Sequence, residues 1–396
     1  MTGPALTAPL PPEAYWQDQW FAREREQVFF KSWIFAGLAE DVAKPNDYIS
    51  FTIAGLPVIV RNMKGKLVAF RNVCSHRHST IHPVGCGNAM FRCPYHGWTY
   101  DADGVPIGVP DNARSFGFDK EAKTELALER YAVDRCGNFI FVRVAAQGPS
   151  LAEYLGPMAT HLEHICEFQP MTYARFMQGW QSNWKMGVEI TMEGYHAPLV
   201  HPTSFSRHAG IEELPDEGSD TILSTGMAGG AYDVDEAQSS SAYFGPHSLN
   251  EGPLSEGSVH HLRTIGERLK MKHSPKMTGY QHYFIYPNFL VGVNEGVNTC
   301  VQLYDPIAPD RTNSCFWLLT GSPDAKLKNG IIWQSMTKGW KDWTEMNSTE
   351  DKIACEAAQK GIPYARYRGT LGKMEERLWH FQCAMLRDSG GKQAAA

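Results

Sequence analysis

The chain has no apolar run long enough to cross a bilayer as a helix; no window approaches the eighteen or so consecutive apolar residues that a span needs. Its first residues, MTGPALTAPLPPEAYW, lack the charged-then-apolar order of a secretory leader. There is no run of lysine and arginine of the kind that marks nucleic acid or an anionic membrane surface, and the formal net charge is a modest −6. There is no repeat period and no low-complexity segment. The cysteines number nine, which is odd, and they are dispersed, so a disulfide framework is not expected. These absences predict a soluble, cytoplasmic protein with neither nucleic acid nor membrane as partner. They leave metal binding as the use to look for among the cysteines.

What is present is enough apolar material, 43% of 396 residues, for a large core in about two domains. Residues 1–11 are rich in Pro and Ala and read as loose. Pro12 to Phe35 reads as one or two amphipathic helices with aromatic faces. From Asp47 the pattern becomes β-branched and alternating, with a turn at Lys64-Gly65, and strand signals continue to about residue 144. Residues 41–150 are therefore expected to form an all-β domain. The rest, 1–40 with 151–396, is expected to form a second, α+β domain. In it, Ser150–Cys166 and the stretch from Lys328 read as helical. Residues 280–307 read as paired strands turning at Asn294-Glu295-Gly296, which predicts an exposed Glu295. Residues 205–265, rich in Gly and Ser, read as long loops, and the last six residues as frayed.

The strongest motif is CSHRHSTIHPVGCGNAMFRCPYH, residues 74–96. Cys74-x-His76 is followed, after sixteen residues, by Cys93-x-x-His96. Two thiolates and two imidazoles can hold a tetrahedral zinc or a [2Fe–2S] cluster with two Cys on one iron and two His on the other. A single residue between Cys74 and His76 is tight for chelating one small ion, whereas a cluster spreads the pair over two irons. Cys86, His78 and His82 fall outside the ligand spacing and read as loop and packing residues.

A second motif, MEGYHAPLVHP, residues 192–202, places His196 and His201 five apart. On an ideal helix their rings would diverge by roughly 140°, so sharing a metal requires a departure from helical geometry. Pro198 is the expected cause. With one carboxylate the pair would make the 2-His-1-carboxylate triad of non-haem iron oxygenases. Candidate carboxylates in the sequence include Glu189, Glu350, Asp351 and Glu356.

The two motifs, with Gly97-Trp98, Asn183-Trp184-Lys185, Tyr286-Pro287-Asn288 and Glu350-Asp351…Cys355-Glu356…Gln359-x-Gly361, resemble the α subunit of Rieske non-haem iron oxygenases, the ring-hydroxylating oxygenase family. The resemblance covers almost the whole chain. It implies a Rieske domain plus a helix-grip-like catalytic domain, with a central antiparallel sheet flanked by helices. It implies a [2Fe–2S] cluster on Cys74, His76, Cys93 and His96, and a mononuclear Fe(II) on His196, His201 and Asp351. Glu193 would bridge an iron histidine to a cluster histidine of a neighbouring subunit, in a homotrimer. Electrons would come from NAD(P)H through a reductase, with or without a ferredoxin, and O₂ would be co-substrate.

The sequence also departs from the family pattern. Glu189 is followed by Ile190 where the family has an acidic-Asn pair, and His78 stands where it has Gly. The leading expectation for substrate is an aromatic compound or aromatic acid, with Arg207 and His208 as candidate carboxylate anchors. A quaternary or methylated amine is the alternative, suggested by Glu193 in place of the commoner Asp. An electron carrier without oxygenase activity is a reading of another class.

Overall fold

Hairpin chemistry builds the first sheet. The computed structural model describes residues 6–205, 208 and 241–390, and the chain divides into two compact units, Phe29–Tyr154 and the remainder on either side of it. In the former, strands β2 (Asp47–Ile53), β3 (Leu56–Met63) and β4 (Lys66–Arg71) are joined by two-residue turns. Ala54-Gly55 and Lys64-Gly65 both have positive φ, the backbone that matches the twist of a tight hairpin. With β1 (Ile34–Leu38), β5 (Gly85–Asn88), β6 (Arg130–Cys136) and β7 (Phe139–Arg143) they form a seven-stranded antiparallel sheet ordered β1-β7-β6-β4-β3-β2-β5.

This unit is wider than the expected 41–150 because β1 belongs to it. All five β1 residues are buried, and Ile34 to Leu38 pair with β7. The helices expected over residues 12–35 stop at Phe29, after a 3₁₀ turn, an α-helix at Asp18–Glu24 and a π turn. An aromatic run reads alike as helix face or buried strand, and tertiary pairing decides between them.

The other unit has a second seven-stranded antiparallel sheet. Its strands are β8 (Met171–Trp180), β9 (Ser241–Phe244), β10 (His247–Gly252), β11 (Tyr280–Ile285), β12 (Phe289–Asn294), β13 (Asn298–Ala308) and β14 (Arg311–Thr320), in the order β8-β14-β13-β12-β11-β10-β9. Helices α1 (Met158–Phe168), α2 (Trp184–Thr191), α3 (Ala197–Val200), α4 (Glu256–Arg268), α5 (Ile331–Gly361) and α6 (Glu376–Asp388) complete it. The expectation of loops over 205–265 fails for its described C-terminal part. There β9, β10 and α4 are ordered, with Ser255 capping α4 by accepting the Ser258 N–H.

Residues 6–11 are not loose. Leu6–Thr7 pairs with Thr370–Leu371, and the buried Leu10 gives its N–H to Gln382. The final six residues lie outside the described ones. Among the described residues, no helix is long and apolar enough to cross a membrane.

Candidate metal centres

In the Phe29–Tyr154 unit, Cys74 and Cys93 open loops of the same build. The Cys74 N–H donates to Ser79 O and the Cys93 N–H to Trp98 O, both at 2.8 Å. Four residues on, His78 and Gly97 return an N–H to the cysteine carbonyl, both at 3.0 Å. The residue closing each turn is left-handed, His78 at φ 60° and Gly97 at φ 76°. Glycine takes that backbone freely, while a residue with a Cβ is strained there by about 1 kcal/mol. His78 therefore bears a strain that a Gly at its position would not.

The His76 ring stacks on Trp98 at 4.8 Å and lies 4.5 Å from the His96 ring. Both thiols are buried, and Tyr100 OH donates to Cys74 Sγ at 3.0 Å. Burial, then the neighbouring His96 and Arg77, hold the His76 pKa below its ordinary value, so the ring is neutral. Its Nδ1 is buried without a hydrogen-bond partner. An orphaned imidazole nitrogen beside two thiols and a second imidazole fits an iron–sulfur cluster. His82 is engaged elsewhere, 2.9 Å from an Arg61 nitrogen, and Cys86 lies on β5, exposed.

The other centre is an arm laced along one long helix. Asn183 caps α2 by accepting the Lys185 N–H, and its own N–H goes to Gln359 Oε1 of α5 at 2.8 Å. Before it, the Gln181 N–H goes to Glu356; within α2, the Met186 carbonyl accepts from the Cys355 thiol. Alpha2 then stops at Thr191, and the turn Glu193-Gly194-Tyr195 leads to His196. Pro198 lies in the first turn of α3, where a missing N–H leaves no bond unmade. It therefore helps to start that turn; the departures from helix fall before His196 and at His201, whose ψ is 48°. The result brings the two rings to 5.1 Å.

His196, His201 and Asp351 of α5 each offer a ligand atom within 4.8 Å of the others'. Glu193 Oε1 lies 2.5 Å from His196 Nδ1, and its Oε2 accepts the backbone N–H of Tyr195 and His196. Glu350 Oε2 lies 2.7 Å from His201 Nδ1 and also accepts from Ser204 Oγ at 2.9 Å. With both Nδ1 protons held by glutamates, both Nε2 atoms face Asp351 Oδ1, at 3.6 and 2.8 Å. That oxygen is buried and has no partner in hydrogen-bond geometry. Two ring lone pairs facing a carboxylate oxygen need a cation among them, and a divalent metal fits the donor set.

The other candidate carboxylates point elsewhere. Glu189 accepts from Tyr15 OH at 2.6 Å and Gln382 at 2.9 Å; burial raises its pKa to about 7. Glu356 holds the Gln181 N–H. Glu350, adjacent to Asp351, reaches the other edge of the same imidazole. The sequence offers Glu350 only as a candidate ligand, not as the partner of His201 Nδ1.

The three ligands open on a cavity of about 720 Å³, part of it open to solvent. Phe205, Tyr280, Tyr304, Phe316 and Trp343 supply its aromatic walls, and Ile190 joins them. Among the described residues no Lys or Arg lines it.

His208 does not join this lining. Its ring nitrogens lie 3.1 Å from Asn294 Oδ1 and 2.9 Å from Ser258 Oγ, with Trp340 and Trp343 packed at its faces. Both nitrogens are thus engaged by the protein, and neither is left to hold a carboxylate. Arg207 lies outside the described residues. The expected exposure of Glu295 is wrong: it is 1% exposed, paired with Arg263 at 2.7 Å, and accepts the Gly279 N–H at 2.6 Å. Its turn is covered by neighbouring segments that local sequence does not reveal.

Paired cysteine–histidine loops on an antiparallel sheet, and a separate 2-His-1-carboxylate cluster over an aromatic cavity, define a protein of two metal centres. Residues 32–131 match the Rieske [2Fe-2S] domain, and residues 159–388 match the ring hydroxylating alpha subunit (catalytic domain). The chain belongs to the ring-hydroxylating α-subunit family, and its cofactors are a Rieske [2Fe–2S] cluster and a mononuclear iron.

The carnitine monooxygenase oxygenase subunit of Acinetobacter baumannii is 32% identical over 205 residues, 50% of this chain and 54% of that protein. The match thus spans about half the length of that relative. The benzene 1,2-dioxygenase subunit alpha of Pseudomonas putida is 28% identical over 330 residues, 78% of this chain and 70% of that one. A quaternary ammonium Rieske monooxygenase in complex with γ-butyrobetaine shares the fold at TM-score 0.73 and 20% identity, over 97% of this chain and 96% of that one. Naphthalene 1,2-dioxygenase with indole bound does so at TM-score 0.68 and 21% identity, over 97% and 95%.

Proposed function

We propose that the protein is the terminal oxygenase of a Rieske system, hydroxylating a small substrate with a largely apolar body. The observation that carries this reading is the convergence of His196, His201 and Asp351 on an aromatic-walled cavity. When bound, the mononuclear iron supplies O₂ activation and the cluster supplies electrons one at a time. Cys74, His76, Cys93 and His96 would hold the cluster; His196, His201 and Asp351 would hold the iron. The cavity on which these three residues open would admit substrate and O₂. Glu193 and Glu350 fix the tautomer and direction of the histidines. The aromatic walls exclude water and orient an apolar body. Electrons would arrive from NAD(P)H through a reductase, with or without a ferredoxin. Glu193 would also form the link to a cluster histidine of a neighbouring copy, in a homotrimer.

The aromatic walls favour an aromatic substrate. The same walls also favour a methylated ammonium group, whose cation is drawn to ring faces, and the carnitine monooxygenase relative supports that second reading. A simple electron carrier has no use for a three-ligand cluster opening on a cavity. The deciding experiment has two parts. Iron analysis should give about three Fe per chain for an oxygenase and about two for a carrier, and His201→Ala should lose the third. A panel of aromatic compounds, aromatic acids and methylated amines, run with a generic reductase, should yield a hydroxylated or demethylated product by mass spectrometry. Full iron retention in His201→Ala would sink the second centre.

A further inference from the structure

One wall of the cavity is a single face of the second sheet. His282 on β11, Gly292 on β12 and Cys300 on β13 stand opposite one another in the ladder, and all three line the cavity. Gly292 leaves room beside the imidazole; a Cβ there would lie 3.8 Å from His282 Cδ2 and 3.2 Å from Tyr280 OH. His282 is 2% exposed.

Behind the ring lies Arg377 of α6, also buried. Its Nη1 is 2.9 Å from His282 Nδ1, its Nη2 reaches the His282 carbonyl at 3.4 Å, and its Nε donates to Ser248 Oγ at 3.0 Å. A guanidinium can only donate, so Nδ1 must accept. Burial and the Arg377 charge push the His282 pKa well below its ordinary value, so the ring is neutral. A neutral imidazole that accepts at Nδ1 carries its proton on Nε2. No hydrogen bond ties that Nε2–H to a described residue. Nε2–H is thus a donor held in one tautomer, beside a gap kept open by a glycine, and placed to give its proton to whatever occupies the cavity.

We propose that His282 is a substrate-orienting donor, its Nε2–H engaging an oxygen acceptor on the substrate: a carbonyl, carboxylate or hydroxyl. The cavity then prefers molecules with an apolar body and one polar oxygen over plain hydrocarbons of the same shape. Arg377 is a positioning residue that fixes the tautomer from behind. The inference rests on the oxygenase reading only in taking this cavity as the substrate site.

Acetophenone and α-methylstyrene test it, since they differ in a carbonyl oxygen against a methylene. Binding to the metal-loaded, full-length protein is read by quenching of tryptophan fluorescence, Trp343 being in the cavity wall. The ketone should bind roughly tenfold tighter, the scale of one buried hydrogen bond. His282→Phe should weaken the ketone alone and abolish the preference. His282→Gln, whose amide can accept from Arg377 and donate to the cavity, should restore part of it. Equal affinities in the unaltered protein, an unchanged preference in His282→Phe, or no binding of either probe would overturn the proposal. Should His282→Phe not fold, a crystal structure of the unaltered protein soaked with acetophenone decides: a ketone oxygen within about 3.2 Å of Nε2 supports it, and any other position, or water alone on Nε2, overturns it. Oxygen uptake and product formation judge the oxygenase reading separately. A ketone bound through His282 but never turned over would sink that reading and leave this one standing.

Discussion

Glu193 and Glu350 each engage the Nδ1 of one ring, so the iron-facing nitrogens are chosen by carboxylates that never need touch the metal. Glu350→Ala should weaken iron binding about 10- to 100-fold by chelator competition, while Glu350→Gln, which can still accept from Nδ1–H, should stay close to the unaltered protein. On the cluster side, Tyr100 OH donates to Cys74 Sγ. A hydrogen bond to a ligand sulfur favours the reduced cluster, which carries more negative charge. Tyr100→Phe should therefore lower the midpoint potential by on the order of 50 mV in an EPR-monitored titration. The cysteine–histidine spacing was legible because four ligands lie within 23 residues. Asp351 was reached only through family resemblance, being 150 residues from His201 on a polar helix. Glu350 stood out only as a rival ligand, not as the partner of His201, and His282 gave no signal, because each owes its role to a partner far along the chain.

Elements repeat the lesson. Hairpins with local turn chemistry, such as β2-β3-β4, were readable from alternation and glycine. Beta1 was not, because its apolar run carries no period and its partner is about a hundred residues away. The short β9 and β10 were hidden in a Gly- and Ser-rich stretch. The contact of α2 with β13 was not readable either, because it joins segments more than a hundred residues apart. A Cβ on Gly187 would run into the ring of Tyr304, itself part of the cavity wall. Gly187→Ala should therefore destabilise by roughly 1–3 kcal/mol in thermal unfolding despite alanine's better helix propensity. It should also disturb the iron site, since α2 leads into the histidine arm.

For the whole molecule, the N-terminal segment is sewn into the catalytic unit by buried polar groups. Glu24 meets Lys185 at 2.6 Å, and Tyr15 and Gln382 both bond to Glu189. Burial raises Glu189 from 4.5 to about 7, so the folded state holds its proton more tightly than the unfolded chain. Its contribution is fully present below about pH 4.5, declines as pH rises, and is lost above about pH 7. Glu189→Gln, which cannot ionise, should narrow the fall in melting temperature between pH 5 and pH 8, checked by calorimetry at both. This network was invisible in sequence because Tyr15, Glu24, Lys185, Glu189 and Gln382 span most of the chain. Alpha5 has the widest consequence. Gln359, Glu356, Cys355, Asp351, Glu350 and Asn347 meet successive points from Gln181 to Ser204 along its length. Inserting one residue between Asp351 and Cys355 would turn the carboxylate by about 100° and shift it by about 1.5 Å relative to the anchors beyond. In evolutionary terms, this segment can drift in composition but not in length, so descendants should vary their substrates by substitution along the cavity and confine insertions and deletions to the connections outside the helix.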